Sequence, residues 1–171
     1  MIRITIIIFF AIASFKWADW SSIKKYYPTI LFFIICNLIH VIIYRNSPQW
    51  TFEPLGPIQN ILYDDTVINL ALSFTAFPCC IMLYLSNYPK GKKQFIYILL
   101  WVLLFSSIEL VMLKYRGITY HNGWNLKLSF LFDILIFSLL RIHYICPIKA
   151  WLLAVVFSFL IMCFSGFPII I

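Results

Sequence analysis

Two acidic residues, Glu109 and Asp133, each lie inside a long apolar stretch of the sequence. In a helix that crosses a bilayer, an Asp near the centre costs about 2.5–3.5 kcal/mol on insertion scales. Such residues therefore face the interior of a helix bundle or a water-filled cavity, and they often mark a function. Each acid shares its helix face with a hydroxyl, since Ser129 precedes Asp133 by one turn and Ser106 lies just before Glu109. The two acids thus predict either a polar site or buried hydrogen bonds between helices.

Further polar residues are expected at the same level of the bundle as the two acids. They are His40, Asn69, His121 and Asn122. Converging side chains of these types could form a binding pocket for a small molecule or lipid, a proton-linked pathway, a metal site, or an acid–base pair of Glu109 and His121. The same groups could instead make hydrogen bonds between helices, worth roughly 0.6 kcal/mol each in measured cases. The spacing of the histidines and acids matches no metal-binding pattern, so no metal ligands are predicted.

The segment 120–124, which reads Tyr-His-Asn-Gly-Trp, joins the fourth and fifth apolar stretches. An Asn-Gly pair favours a turn with positive φ. Trp124 suits the membrane interface, where amphipathic aromatic rings are enriched. A turn followed by an anchor explains this segment without a catalytic role for His121.

No known catalytic or cofactor-binding string occurs in the chain: there is no G-x-S-x-G, H-E-x-x-H, P-loop or G-x-G-x-x-G. The sequence therefore favours a protein that is not an enzyme, and it predicts no cofactor. The cysteines are odd in number, contain no Cys-x-x-Cys, and lie in or beside apolar stretches, which favours packing roles. They are Cys36, Cys79, Cys80, Cys146 and Cys163.

The composition defines the elements that must position these residues. Hydrophobic residues make up 63% of the 171 residues and charged residues only 11%, against about 45–50% and about 25% in soluble domains. The excess apolar surface requires lipid as its solvent. The sequence thus predicts one all-α domain, 1–171, a polytopic transmembrane bundle. Its six helices are expected at residues 4–20, 28–44, 66–88, 95–113, 124–144 and 150–171.

The first of these helices is short and contains an A-x-A string at 11–13. It could therefore be a cleaved signal segment or an interfacial helix, which would leave five spans. Pro28 suits the first turn of the second helix, where its missing N–H has no effect. Pro78 predicts a kink within the third helix. The connection 46–65 is long, and its 58–63 piece could lie in the headgroup plane.

The basic residues predict the orientation, because cytoplasmic loops are enriched in Lys and Arg. Eight of the 13 fall on one predicted side, in the loops that follow the first, third and fifth helices. They are Lys16, Lys24, Lys25, Lys90, Lys92, Lys93, Arg141 and Lys149. The other five fall on the opposite side. They are Arg3, Arg45, Lys114, Arg116 and Lys127. Both termini are then extracytoplasmic, and the net charge of +7 is expected to contact anionic headgroups at the Lys-rich cytoplasmic loops rather than nucleic acid.

An ordered set of short strings runs along nearly the whole chain. It comprises Lys16-Trp17-Ala18-Asp19-Trp20, Tyr26-Tyr27-Pro28-Thr29, Phe52-Glu53-Pro54, Phe77-Pro78, Tyr88-Pro89-Lys90-Gly91, Glu109, Tyr120-His121-Asn122-Gly123-Trp124 and Leu140-Arg141-Ile142-His143. This set resembles an uncharacterised family of small multi-pass membrane proteins from spore-forming Gram-positive bacteria. His-Asn-Gly-Trp after an acid in the fourth helix is its most specific part. The resemblance implies a bacterial plasma membrane and an uncleaved first helix, but it implies no activity, ligand or cofactor.

These observations predict a multi-pass integral plasma-membrane protein and leave three functions open. The chain could bind or pass a small molecule or lipid through an outer-leaflet polar pocket formed by the six residues named above. It could be a non-catalytic structural or assembly component of a membrane complex, with a membrane-protein partner or a second copy of itself. It could be an intramembrane enzyme using Glu109 and His121.

Overall fold

The structure is a computed structural model, and it describes residues 2–54 and 60–164. Helices dominate it, and two short strands lie between them. In chain order the elements are α1 (Ile2–Trp17), a 3-10 turn (Trp20–Ser22), α2 (Ile23–Ile43), β1 (Trp50–Phe52), α3 (Asp65–Phe74), α4 (Ala76–Ser86), α5 (Lys93–Lys114), β2 (Ile118–Tyr120), α6 (Leu126–Ile145) and α7 (Pro147–Phe164). Within the 58–63 piece, residues 58 and 59 fall outside the described residues and residues 60–63 form a turn and a bend. The predicted end of the sixth helix beyond residue 164 also falls outside them.

Over the described residues the helices form six segments, because α3 and α4 are two halves of one. Four stretches are long and apolar enough to cross a membrane: Trp20–Ile43, Asp65–Ser86, Lys93–Lys114 and Leu126–Ile145. The apolar parts of α1 and α7 are shorter. The prediction of a mostly helical protein is confirmed, and four of its helical segments have the length and composition that crossing a membrane requires.

The second helix begins earlier than expected. It starts at Ile23, directly after the 3-10 turn, so Pro28 lies inside the helix and not in its first turn. The prediction for Pro28 was therefore wrong. A proline here leaves only the carbonyl of Lys24, four residues before it, without a helical partner. That carbonyl belongs to the helix's first turn, close to the chain's exposed lysines.

The kink predicted from Pro78 is present as a break between α3 and α4. It falls at Thr75, whose φ of −122° and ψ of −78° are not helical. Pro78 has no N–H to give to the carbonyl of Phe74, and its ring would collide with that carbonyl, so the helix opens at this point. Thr75 partly replaces the lost bonds: its Oγ1 donates to the Ala71 carbonyl at 2.5 Å and its N–H to the Leu72 carbonyl at 3.3 Å.

The main core lies where α4, α5 and α6 meet α1 and α2. Met82, Tyr84 and Val102 are fully buried in it. The Tyr84 hydroxyl donates to the carbonyl of Phe137 at 2.8 Å, and the Tyr97 hydroxyl donates to the carbonyl of Tyr84 at 2.9 Å. Hydrogen bonds of tyrosine therefore join α4 to both α5 and α6 inside an otherwise apolar core.

The connections gather at two ends of the bundle. At one end, called the ribbon end, β1 and β2 form an antiparallel pair in which Trp50 lies opposite Tyr120 and Phe52 opposite Ile118. At the other, called the lysine end, the Asn87 amide donates to the carbonyl of Trp17 at 3.0 Å, which links the connections 18–22 and 87–92. The all-α prediction missed the ribbon, because its strands are three residues long and lie in what reads as loop.

Candidate functional site

A cavity of about 200 Å³ lies inside the bundle near the ribbon end. Most of its walls are apolar, formed by residues such as Phe10, Leu72 and Phe105. Both intramembrane acids, Glu109 on α5 and Asp133 on α6, line this cavity. The amides Asn37 of α2 and Asn69 of α3 and the hydroxyl of Ser129 line it as well. The expected meeting of the two acids with Asn69 is therefore observed.

The spacing of residues along α6 explains why this helix contributes so much of the wall. Ser129, Phe132, Asp133, Ile136 and Phe137 all line the cavity. Their separations of three and four residues place them on one face of a helix. Ser129 and Asp133 are thus neighbours, one turn apart, on the same surface.

Glu109 is held by a relay of side chains. Ser129 Oγ donates to Glu109 Oε1 at 2.7 Å, and Trp124 Nε1 donates to Ser129 Oγ at 2.8 Å. A serine hydroxyl has one hydrogen and accepts through its lone pairs, so both bonds form at once. The Tyr120 hydroxyl lies 3.5 Å from the same Oγ. The relay fixes one carboxylate oxygen of Glu109 and ties α5 to α6.

Tyr120 closes the relay on the side of the ribbon. Burial raises its pKa to about 12, the hydrogen bond to Ser129 opposes this, and the nearby Glu109 raises the pKa further. The phenol therefore keeps its proton throughout the physiological range and remains a donor beside the acid.

Asp133 differs from Glu109 in having no such support. Its carboxylate makes no hydrogen bond or ion pair with the part of the chain that the structure describes, although Asp133 lines the cavity. A polar group removed from water is costly unless it finds a partner. Asp133 thus presents unfilled hydrogen-bonding capacity to a largely apolar space.

Asn69 already has local partners. Its amide nitrogen donates to Asp65 Oδ1 at 3.1 Å and to the Asp65 carbonyl at 3.0 Å. Asp65 Oδ1 also accepts from the backbone N–H of Phe52 at 2.7 Å. On the other side, Asn37 donates to Ser73 Oγ at 2.9 Å, which in turn donates to the Asn69 carbonyl. These bonds join α2, α3 and β1 around the mouth of the cavity.

His40 does not join the acids. Its ring stacks on Trp50, with centroids 4.9 Å apart and planes at 19°, and it also packs against Tyr44 at 4.6 Å. It lines a neighbouring groove of about 170 Å³ between α2, α6 and α7. His40 lies about one turn beyond Asn37 on the same face of α2, and both residues line this groove. Trp50 lines both spaces.

His121 and Asn122 belong to the ribbon. His121 Nε2 lies 2.8 Å from Thr51 Oγ1, and this hydroxyl donates to Glu53 Oε1 at 3.1 Å. Because the threonine proton is used in that bond, His121 is the donor in the first. Successive side chains of a strand point to opposite faces, so Tyr120 faces Glu109 whereas His121 faces Thr51. The structure does not bring His121 and Glu109 into one cavity.

Asn122 acts as a turn residue. Its φ is +51° and that of Gly123 is +77°, as the Asn-Gly pair predicts. Its side chain donates to the carbonyl of Pro48 at 2.7 Å and to Ser47 Oγ at 3.2 Å. Asn122 thus fastens the two ribbon-end connections together and lies outside the cavity.

A polar recess of about 270 Å³ also adjoins the cavity, at the ribbon end. It is lined by His40, Arg45, Thr51, Asp64 and Asp65 among others, and it shares Trp50 and Asn69 with the cavity. The apolar cavity therefore lies next to a polar opening, and the side chains of Trp50 and Asn69 lie between the two spaces.

The sequence alone does not identify two of these residues as members of the site. Trp50 and Tyr120 reach the site only because the ribbon pairs them, and residues 50 and 120 carry no signal of that pairing. Ser129 did carry a signal, since it lies one helical turn before an intramembrane acid. Across residues 2–54 and 60–164, no group of three or more His, Cys, Asp and Glu side chains could hold a metal ion.

Comparisons with known proteins do not add to this picture. The chain matches no protein-family model, no curated protein and no solved structure.

Proposed function

We propose that this protein is a multi-pass membrane protein that binds a small molecule in the cavity between α5 and α6. The molecule has an apolar body and a head group that donates hydrogen bonds, such as an ammonium or a hydroxyl. The observation that carries the proposal is Asp133, a carboxylate that faces the cavity and has no hydrogen-bonding partner in the described chain.

The chemistry of the walls selects this class of ligand. Ligand sites are mostly apolar with a few placed polar groups that fix orientation, and this cavity has that composition. Glu109 and Asp133 are both acceptors when ionised, and a cationic head placed between them favours their ionised form whereas an anionic head opposes it. Phe10, Leu72 and Phe105 suit an apolar body. Entry is expected through the polar recess, since that space adjoins the cavity at Trp50 and Asn69.

We also propose that all six helical segments cross a bacterial plasma membrane, with the lysine end in the cytoplasm and both termini outside. The asymmetry of basic residues supports this orientation. In this orientation the cavity opens towards the outer face of the membrane, so its ligand enters from outside the cell. The resemblance of the sequence strings supports the choice of membrane.

An enzyme based on Glu109 and His121 receives no support from these contacts. General acid–base partners must lie within hydrogen-bonding reach of a shared substrate. Glu109 bonds Ser129 and faces the cavity, whereas His121 bonds Thr51 on the opposite face of the ribbon. The two residues have separate partners and separate surroundings.

The test is ligand-induced thermal stabilisation of the purified protein in a neutral detergent. The probes are 2-phenylethylamine, 2-phenylethanol and phenylacetate, which share one apolar body and differ in the head group. A ligand at 100 times its Kd stabilises a protein by about 2.7 kcal/mol, or on the order of 5–10 °C in Tm for a chain of this length. The amine is expected to stabilise most and phenylacetate least.

Variants separate binding in the cavity from general effects. Asp133→Asn and Glu109→Gln are expected to abolish the preference for the amine, whereas Asp19→Asn removes an exposed acid at the lysine end and should keep it. If both cavity variants respond like the parent protein, the acids do not bind the probe. The cavity would then be a polar joint between helices, as expected of a structural or assembly component.

A further inference from the structure

Arg141, near the end of α6, lies between two tyrosine rings at the lysine end. Its guanidinium carbon is 4.3 Å from the centroid of the Tyr88 ring and 5.5 Å from that of Tyr144. Tyr88 comes from the connection that follows α4, whereas Tyr144 is on α6 itself. Such contacts attract a cation to the face of the ring and hold the guanidinium plane in place.

The two rings are themselves fixed by neighbours. Tyr144 stacks on Tyr26 of α2 with centroids 5.5 Å apart. Tyr88 packs edge-on against Tyr84 at 5.4 Å and against Tyr97 at 5.4 Å. The orientation of the guanidinium is therefore set before any ligand arrives, which lowers the entropy lost on binding.

Aromatic rings do not satisfy the donors of Arg141. A guanidinium has five N–H groups that point outward in its plane, while ring contacts use its faces. Arg141 Nε is buried and donates to no atom of the described residues. In the same part of the chain, the guanidinium makes no ion pair with a carboxylate. Because Nε is enclosed, only the two terminal nitrogens, which make no hydrogen bond to the described residues, are available to an acceptor from outside the protein.

No acid at this end competes for that position. Five of the six acids of the chain lie at the ribbon end or the cavity, which leaves Asp19 at the lysine end. Asp19 is fully exposed and accepts a hydrogen bond from Ser21. Hydrogen bonds from the neighbouring serines hold its pKa below the ordinary value, so its charge persists at neutral pH. The lysines of this end add a positive field around Arg141.

We propose that Arg141, held between Tyr88 and Tyr144, binds the phosphate group of an anionic lipid. A planar guanidinium binds phosphate through two parallel N–H···O bonds. Arg141 is four residues before the end of its helix at Ile145, close to the level at which headgroups meet a membrane protein. Anionic lipids are concentrated in the cytoplasmic leaflet, so the site gives the lysine end a specific lipid contact in addition to a diffuse attraction. This site is separate from the cavity and does not depend on the function proposed for it.

The experiment titrates dioctanoyl-phosphatidylglycerol into the protein in a zwitterionic detergent and follows thermal unfolding in 0.5 M NaCl. High salt screens the charges of the exposed lysines more strongly than it screens a contact between the half-buried Arg141 and a phosphate. Dioctanoyl-phosphatidylcholine and inorganic phosphate are titrated in parallel. Phosphatidylglycerol is expected to give a saturable rise in Tm, with at least a tenfold lower midpoint than either alternative. An equal midpoint for inorganic phosphate would identify a free phosphate site, and an equal midpoint for phosphatidylcholine would remove the preference for an anionic lipid; either result overturns the proposal.

Three variants locate the site. Arg141→Gln and Tyr88→Leu are expected to raise the phosphatidylglycerol midpoint at least tenfold. Lys149→Gln removes the same charge from an exposed position of the same end, and its midpoint is expected to stay within twofold of the parent. A parent-like midpoint for a folded Arg141→Gln overturns the proposal. If that variant does not fold, Tyr88→Leu, which keeps the arginine, decides the question in the same way.

Discussion

Ser129 on α6 donates a hydrogen bond of 2.7 Å to Glu109 on α5, and this contact is the polar joint between the two helices. Trp124 donates to the same oxygen atom of Ser129 from the turn before α6. One serine therefore connects an intramembrane acid to the interface anchor of the next helix. Asp133, one turn further along α6, has no comparable bond to the described residues. One oxygen of Glu109 is thus held by the protein, whereas both oxygens of Asp133 are available to a ligand.

Removing the Ser129 hydroxyl should destabilise the protein. Ser129→Ala leaves Glu109 and the indole N–H of Trp124 without their partner, and an unsatisfied buried polar group costs about 1–3 kcal/mol. Thermal unfolding in detergent measures the effect. Ser107→Ala is the matched control, because Ser107 is exposed and bonds only the Leu103 carbonyl of its own helix. Equal losses from the two variants would contradict the joint described here.

Replacing Asp133, unlike replacing Ser129, should not lower the stability of the protein. Asp133→Leu removes a carboxylate that has no hydrogen bond to the described residues and leaves an apolar side chain facing an apolar wall. We expect stability equal to or above that of the parent, together with loss of the amine response, since binding sites often sacrifice stability for function. The same thermal measurement, made with and without 2-phenylethylamine, reports both quantities. A clear drop in Tm without probe would show that Asp133 is a structural residue.

The core tyrosine should contribute through its hydroxyl. Tyr84→Phe deletes the bond to the Phe137 carbonyl but keeps the ring packed, so the loss is expected at about 0.5–1.5 kcal/mol. Tyr27→Phe makes the same chemical change at an exposed ring and should have little effect. Unfolding of the two variants side by side isolates the buried hydrogen bond. No difference between them would place its net contribution near zero.

Tyr120 should make stability fall at alkaline pH. Its pKa is raised from an ordinary 10.0 to about 12, so the folded protein keeps this proton where the unfolded chain loses it. The contribution is complete below pH 10 and disappears as the pH rises through 12. Tyr120→Phe is therefore expected to lose less stability between pH 10 and 12 than the parent. Identical alkaline slopes for the two proteins would contradict this assignment.

Labelling of single cysteines should report the orientation. Cys146 is exposed at the lysine end, and Asn60 is exposed in the connection at the ribbon end. In intact cells, a membrane-impermeant maleimide should label a protein whose only cysteine comes from Asn60→Cys. A protein that keeps only Cys146 should be labelled after permeabilisation and not before it. The reverse pattern would place the lysine end outside.

The helical segments were predictable because each is a long apolar stretch bounded by charged or aromatic residues. The turn at Asn122 was predictable for a similar reason, since Asn-Gly carries its own conformational preference. The meeting of Glu109 with Asp133 followed from both acids lying towards the same end of consecutive helices. Local pattern was sufficient in each case.

The remainder depended on contacts between distant parts of the chain. Asn37 and His40 share one face of α2, but His40 stacks on Trp50 of the ribbon whereas Asn37 lines the cavity, and no local pattern of α2 specifies where Trp50 lies. The ribbon pairs Phe52 with Ile118 through strands too short for a detectable alternation. For this reason His121, which looked like a partner for Glu109, instead bonds Thr51.

The ribbon also sets an order of assembly. β1 leaves the ribosome long before β2, and its partner does not exist until residues 53–117 have been made. During that interval, which at roughly 5–20 residues per second lasts some seconds, α1 to α4 lack one wall of the cavity. Pairing of the strands becomes possible once β2 has been made, and it fastens the early half of the chain to the late half. α6 follows β2 in the chain and supplies the last wall, so the site is completed only once most of the chain has been synthesised.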